Sequence, residues 1–159
     1  MHRARAFNHA DGEFVNLANA PLPAPPCLAM IDHFSHADGL ATFRPIGKHT
    51  LVSIVDAVNG AIAHCRELRI CRLLVVTHQV TGVSPPTLID RFLAVEDWAH
   101  VARGQVVVAL AMSAGNISPQ KFGVTVATSF GLTLDAFATE AEALEWLSGY
   151  DSKGRRKKT

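Results

Sequence analysis

The sequence predicts an α/β fold, a single domain in which about four helices pack on a mixed, mostly parallel sheet of about five strands. Two observations carry this prediction. The runs 70–76 and 105–112 are almost purely aliphatic, which is typical of strands that are buried on both faces. Segments with apolar residues at helical spacing alternate with these strands, as in β-α units joined by right-handed crossovers.

A hairpin and a helix are predicted for the first half of the chain. Residues 28–45 contain two strand-like stretches around Asp38-Gly39, a pair that readily adopts the positive φ values of a tight turn. Thr50 is placed to cap the following helix, which Gly60 weakens slightly. The apolar residues of this helix recur at helical spacing and are Leu51, Ile54, Val55, Val58, Ile62 and Cys65.

Two more helices are predicted on either side of the strand 105–112. Pro85 or Pro86 is expected to begin the first of them, over 87–103, and Gly104 to end it. Its inner face is expected to consist of Leu88, Phe92, Val95, Ala99 and Ala102. The second helix is predicted to start at Ser118-Pro119 and to end at Gly131. Its inner face is expected to consist of Phe122, Val126 and Phe130.

A third strand and a last helix complete the domain. The strand is predicted over 132–137. Thr139 and Glu142 have the spacing of a capping box, in which each side chain satisfies a backbone donor at the helix start. Leu144 and Leu147 are predicted to face inward, and Gly149 to end this helix.

Composition divides the chain into an N-terminal arm (1–27) with the proline-rich segment APLPAPP, a domain (28–149) and a basic tail (150–159) that is expected to be disordered. The chain has a net charge of +1, from 15 basic and 14 acidic residues. Five of the bases lie in the last seven residues of the chain, which leaves 10 against 14, or −4, for the rest. This acidic body argues against a nucleic-acid partner. A weak contact of the tail with an anionic membrane would contribute about 1 kcal/mol per basic residue.

The cysteines and the N-terminus predict a cytoplasmic location. Cys27, Cys65 and Cys71 are odd in number and lack a CxxC spacing, so we expect free thiols in a reducing compartment. The early basic residues of the chain are not followed by the apolar segment of a secretory signal.

Several kinds of site are missing from the sequence. It has neither of the glycine-rich phosphate loops and no GxSxG elbow, which argues against nucleotide cofactors and serine hydrolase chemistry. His33 and His36 would point to opposite faces of a strand, and His64 and Cys65 diverge on a helix. We therefore expect no metal site and no cofactor.

The loop THQVTGVSPPT, residues 77–87, is the best candidate for a binding site. In sheets of this kind, ligands bind at the carboxyl ends of the strands, and this is the longest loop predicted there. Gly82 and the two prolines have structural explanations as a turn and a helix start. The polar residues that remain as candidate binding residues are Thr77, His78, Thr81, Ser84 and Thr87.

The second half of the chain also resembles a known family. The stretches RFLAVEDWAHVARGQVVVALAM, KFGVTVATSFGL and FATEAEALEWL are similar to the small bacterial STAS-like, or anti-sigma-factor-antagonist-like, proteins. The family's terminal motif F-x-x-E-x-E-A-L-x-W-L is matched by Phe137, Glu140, Glu142, Ala143, Leu144, Trp146 and Leu147. The resemblance covers residues 38–148 and extends in outline to STAS domains and the CRAL-TRIO lipid-binding fold.

The resemblance implies a regulatory module. In STAS antagonists, a serine of an Asp-Ser-Ser-Gly-like loop after a central strand is phosphorylated, which changes the charge that a partner meets. The similar loop here, 80–87, lacks that motif but contains Thr81, Ser84 and Thr87, with Ser84 as the candidate phosphoacceptor.

Three functions follow as hypotheses. The first is a non-catalytic regulatory or protein-interaction module that binds a protein partner or forms a homo-oligomer. The alternative is a carrier of a small apolar molecule or lipid, which the CRAL-TRIO likeness implies. The third is an enzyme that uses His78 as a base beside Thr77 or Ser84.

Overall fold

A computed structural model of the protein describes residues 33–118 and 120–158, together with the backbone of two earlier strands, β1 (Arg5–Asn8) and β2 (Glu13–Asn16). These two strands pair with each other in antiparallel fashion. The rest of the predicted arm 1–27, including the proline-rich segment and Cys27, lies outside the described residues, as do the first residues of the predicted hairpin.

The predicted fold class is confirmed. The described elements from residue 33 onward are β3 (Phe34–Ala37), β4 (Leu40–Phe43), β5 (Gly47–Lys48), α1 (Leu51–Glu67), β6 (Arg72–Val76), β7 (Val80–Thr81), α2 (Leu88–Ala102), β8 (Val107–Ala111), a 3-10 turn (Ala114–Asn116), α3 (Phe122–Ser129), β9 (Leu134–Phe137) and α4 (Glu140–Ser148). Five strands form the main sheet in the order β3-β4-β6-β8-β9. Only the β3–β4 pair is antiparallel in this sheet, so it is mixed and mostly parallel.

Both faces of the sheet are covered. Alternate residues of a strand point to opposite faces, so Leu73 and Val75 of β6 pack under α1, α2 and α3, whereas Leu74 and Val76 pack under α4. This two-sided burial explains why 70–76 and 105–112 are almost purely aliphatic.

The hairpin turn and the first helix start also follow the prediction. Asp38 and Gly39 both have positive φ, 53° and 75°, between β3 and β4. Thr50 caps α1: its hydroxyl accepts a hydrogen bond from the backbone N–H of Ser53 (3.1 Å), and Ser53 Oγ accepts one from the N–H of Thr50 (3.0 Å).

Two predicted helix starts are wrong. Helix α2 begins at Leu88 after Thr87, not at a proline, because Thr87 and Asp90 form a capping box with bonds of 3.1 and 2.9 Å. Helix α3 begins at Phe122 instead of Ser118-Pro119. Lys121 precedes it in the left-handed conformation, with φ 46°, so the chain changes direction there and cannot continue a helix from 118.

Several predicted inner-face residues are exposed. Leu88 and Phe92 of α2 are 60% and 39% exposed, and Ala94 is buried in their place. The reason is that α2 packs against both α1 and α3, which shifts its buried arc away from a single stripe. Phe130 and Leu144 are exposed as well, whereas Leu147 is buried as predicted. Thr139 caps α4 by accepting from the N–H of Glu142 (3.2 Å), which is one half of the predicted capping box.

The predicted disordered tail is folded over 150–157. Tyr150 is buried against Trp146, with ring centroids 5.0 Å apart, and its backbone forms a bridge with Arg156. The carboxylate of Asp151 accepts hydrogen bonds from the N–H groups of Lys153 and Arg155, both at 2.9 Å. These local bonds and the buried aromatic ring outweigh the repulsion among the basic residues, whose composition alone had indicated disorder. None of the described helices has the length and apolar character needed to cross a membrane.

Candidate functional site

The carboxyl ends of β6, β8 and β9 lie at one edge of the sheet, because these strands are parallel. The loop 77–87 leaves β6 at this edge and folds over the start of α1. Its strand β7 pairs with β5 in parallel, and the ladder continues on both sides: the N–H of Gly47 donates to Gln79 O (3.1 Å) and that of His49 to Thr81 O (2.8 Å). The loop is therefore held by backbone hydrogen bonds in a second, two-stranded sheet.

Gly82 allows this arrangement. Its φ is +83°, which strains any residue with a Cβ. A Cβ at this position would also lie 2.9 Å from Lys48 Cγ and 3.1 Å from His49 O. The loop can approach the start of α1 this closely only with glycine at residue 82.

The structure brings one of the five predicted site residues to a cavity. Thr77 is half-buried and lines it, with its N–H donating to Ala111 O at 2.9 Å. His78 is exposed, with Nε2 3.0 Å from Ala138 O. Thr87 is committed to capping α2, and Thr81 lies in β7. Ser84 is exposed, so its role as phosphoacceptor stays a prediction.

The cavity has a volume of about 200 Å³ and lies between α1, α2 and the main sheet. Buried aliphatic side chains form its inner wall: Ile54, Val58, Val75, Val95 and Leu110. Trp98 of α2 lines it as well and is fixed by a hydrogen bond from Nε1 to Val55 O (3.2 Å), which joins α2 to α1. The interior is thus apolar, and a hydrogen bond joins the two helices that bound it.

The loop 77–87 supplies apolar residues to the same cavity, namely Val80, Val83 and Pro86. These residues were not predicted from the sequence, because only the polar residues of the loop were considered as binding residues. Their spacing could have indicated them. Three apolar residues recur every third position in a segment whose turn requires only glycine and proline.

The mouth of the cavity is polar. Asp90, Arg91, Asn116, Ser118 and Lys121 line it. The carboxylate of Asp90 accepts from the N–H of Thr87. Lys121 Nζ lies 2.7 Å from Asp135 Oδ1 in an ion pair, and Arg91 Nη1 donates to Asn116 O at 3.1 Å.

Apolar side chains make up most of the described lining of the cavity. No group of three or more His, Cys, Asp or Glu within them could hold a metal ion. Outside the lining of the cavity, burial raises the pKa of the Cys65 thiol to about 12, so this thiol stays protonated near neutral pH and is a poor nucleophile. The arrangement can enclose an apolar group and present cations and hydrogen-bond donors to a polar one.

Comparison of the chain with protein-family models, with curated proteins and with solved structures gives no match in any of the three.

Proposed function

We propose that the protein is a non-catalytic binding module that takes a small apolar molecule into the cavity between α1, α2 and the sheet. The observation that carries this proposal is the apolar cavity of about 200 Å³ at the carboxyl ends of parallel strands. Pockets that bind small molecules are mostly apolar with a few polar groups, and in open α/β sheets they lie at this edge.

The volume limits the size of the ligand. An apolar cavity of about 150 Å³ is enough to bind benzene. The cavity here is somewhat larger, so it suits a molecule with one aromatic ring or a short branched chain. A long-chain lipid of the kind that the CRAL-TRIO resemblance implies would not fit without a change in the packing of α1 and α2.

A regulatory role is compatible with this ligand. Val83 and Pro86 line the cavity, and Ser84 between them is exposed to solvent. A ligand in contact with Val83 would change the conformation or mobility of the loop segment that also carries Ser84. A partner protein or a kinase could then respond to occupancy of the cavity.

A titration followed by NMR tests the proposal, with 3-phenylpropanol as the probe. We expect saturable shifts of cavity residues, with a Kd of about 1 mM or tighter. Ala94→Leu should abolish them, because Ala94 is buried and lines the cavity, so the three additional carbon atoms of leucine fill the space. The matched control is Ala141→Leu, at an exposed position of α4. Unsaturable shifts in the wild type, or undiminished binding by Ala94→Leu, would contradict the proposal.

A second candidate function, a protein-interaction module, is favoured by the outer side of α2. Leu88, Ile89 and Leu93 are all more than half exposed there, and Phe92 contacts Phe130 edge-to-face with centroids 5.5 Å apart. Soluble monomers seldom expose neighbouring large apolar side chains of this kind, and such surfaces often bind another protein.

Self-association through this surface is measured by sedimentation equilibrium. We expect a dimer for the wild-type protein and a monomer for Ile89→Glu, because a charge at a residue that is 71% exposed would be buried by a second copy. Ala141→Glu, which adds the same charge at an exposed position of α4, is the control. A wild-type protein that stays monomeric at every concentration contradicts self-association through α2.

A further inference from the structure

We propose that the ligand of the cavity is a small carboxylic acid, whose apolar body fills the cavity and whose carboxylate is bound by Arg91. This inference rests on the proposed binding function and names the chemical class of the ligand. Arg91 is a cation at the mouth of the apolar cavity.

Arg91 is half-buried and lines the mouth. Its Nη1 donates to Asn116 O at 3.1 Å, which fixes the position of the guanidinium. Among the described residues, Arg91 forms no ion pair. A guanidinium has five N–H donors, so most of them remain for another acceptor.

The carboxylates beside the mouth are engaged elsewhere. Asp90 precedes Arg91 in the chain, but its carboxylate accepts from the N–H of Thr87 at 2.9 Å and closes the capping box of α2. Asp135 pairs with Lys121 at 2.7 Å and also accepts from the N–H of Ala136 at 2.8 Å. These bonds leave Arg91 as the cation at the mouth without an acidic partner.

The chemistry of the mouth favours a carboxylate over other groups. The planar fork of an arginine matches a carboxylate with two parallel hydrogen bonds. Asn116 and Ser118 line the same opening, and amide and hydroxyl groups of this kind can donate to a carboxylate. A phosphate carries more charge than Arg91 alone would balance, and a neutral ligand would leave most of the guanidinium donors without an acceptor as the mouth loses water.

The experiment compares an acid with its neutral counterpart, 3-phenylpropanoate with 3-phenylpropanol, by calorimetric titration of the full chain at pH 7. We expect the wild type to bind the acid about 10-fold to 100-fold more tightly, as for a charge-assisted hydrogen-bonded pair. Raising the salt concentration should weaken binding of the acid and leave binding of the alcohol unchanged.

Arg91→Gln should reduce the preference for the acid to within about twofold and leave the affinity for the alcohol near that of the wild type. Arg156→Gln makes the same change of charge in the tail, away from the cavity, and should keep the full preference. Equal affinities of the wild type for both probes, or a preference that persists in Arg91→Gln, would overturn the assignment of a carboxylic acid. If the alcohol binds and the acid gains nothing, the binding function stands and this inference fails. If neither probe binds, both fail.

Discussion

The two faces of the main sheet are covered in different ways. Three helices pack on one face and leave a cavity of about 200 Å³ among them. The other face is covered by α4 and the start of the tail, where aromatic rings pack closely: Trp146 lies 5.7 Å from Phe137 and 5.0 Å from Tyr150 between ring centroids.

Side-chain volume explains this difference. Among the residues of α1 and α2 that line the cavity are three valines, one isoleucine and one alanine, and the loop adds valine and proline. These side chains are too short to fill the space between two helices that the bond from Trp98 to Val55 holds in place. The number of helices over a face therefore does not determine how well that face is filled.

The largest difference between the faces should appear when one leucine is shortened on each. Leu147→Ala on the α4 face should lower the free energy of unfolding by about 3–5 kcal/mol, since the side chain is 1% exposed and fully packed. Leu110→Ala should cost at least about 1 kcal/mol less, because Leu110 borders the cavity and already lacks some neighbours. Urea unfolding followed by circular dichroism measures both, and equal losses would contradict a difference in packing.

The close approach of loop 77–87 to α1 predicts the next effect. Gly82→Ala should destabilise the protein by about 1–3 kcal/mol, because of the positive φ and the contact with Lys48 and His49. Gly60→Ala is the control within α1: apart from its chain neighbours and the nearby backbone of the helix itself, no atom lies within 4 Å of its added Cβ, and it should stabilise the helix by about 0.5–1 kcal/mol. Thermal unfolding distinguishes the two, and a neutral Gly82→Ala would show that the loop is not closely packed there.

Removing the cap of α2 should have a smaller effect. Thr87→Ala should cost about 1 kcal/mol, because the N–H of Asp90 loses its acceptor. Thr87→Ser keeps the hydroxyl and should restore most of that stability. If alanine and serine behave alike in urea unfolding, the hydroxyl of Thr87 does not stabilise the helix.

The smallest predicted effect is a dependence on pH from Arg44 and Glu140. The hydrogen-bonded guanidinium of Arg44 holds the pKa of Glu140 below its usual value. The stability from this pair is therefore present above the unfolded-state pKa of glutamate and is lost as the pH falls through the lower, folded-state pKa. Both side chains are about a third to a half exposed, so we expect at most about 1 kcal/mol.

The free energy of unfolding, measured at pH values from about 2 to about 7, gives this contribution, because carboxylates titrate within that range. Glu140→Gln should flatten the acid limb of the curve, whereas Glu145→Gln, at an exposed position of the same helix, should leave it unchanged. A wild-type limb that Glu140→Gln does not alter would contradict the assigned pair.

The fold could be predicted from the sequence because periodicity and turn chemistry are local. The aliphatic runs, the Asp38-Gly39 turn and the cap at Thr50 each indicate one structure. The start of α2 could not be predicted, since Pro85, Pro86 and Thr87 are all suitable residues for a helix start. The hydrogen bond between Thr87 and Asp90 determines which of them precedes the helix. The buried arc of α2 depends on both neighbouring helices, which no local pattern shows.

The candidate site was predicted less well than the fold. Its place at the carboxyl edge follows from topology, and Thr77 was among the expected residues. Val83 resembles an ordinary loop residue in the sequence and Arg91 an ordinary surface residue. Val83 and Arg91 have a role in the site only because there is a space between α1 and α2, and that space depends on tertiary packing. The STAS-like relationship stays a prediction.

A crystal structure of the protein under xenon pressure tests the cavity most directly, because xenon enters apolar cavities without needing any specific hydrogen bond. We predict xenon density among Val95, Trp98 and Leu110 in the wild type, and none there in Ala94→Leu. Side chains of α1 and α2 that close the space, with no xenon between them, would contradict the account.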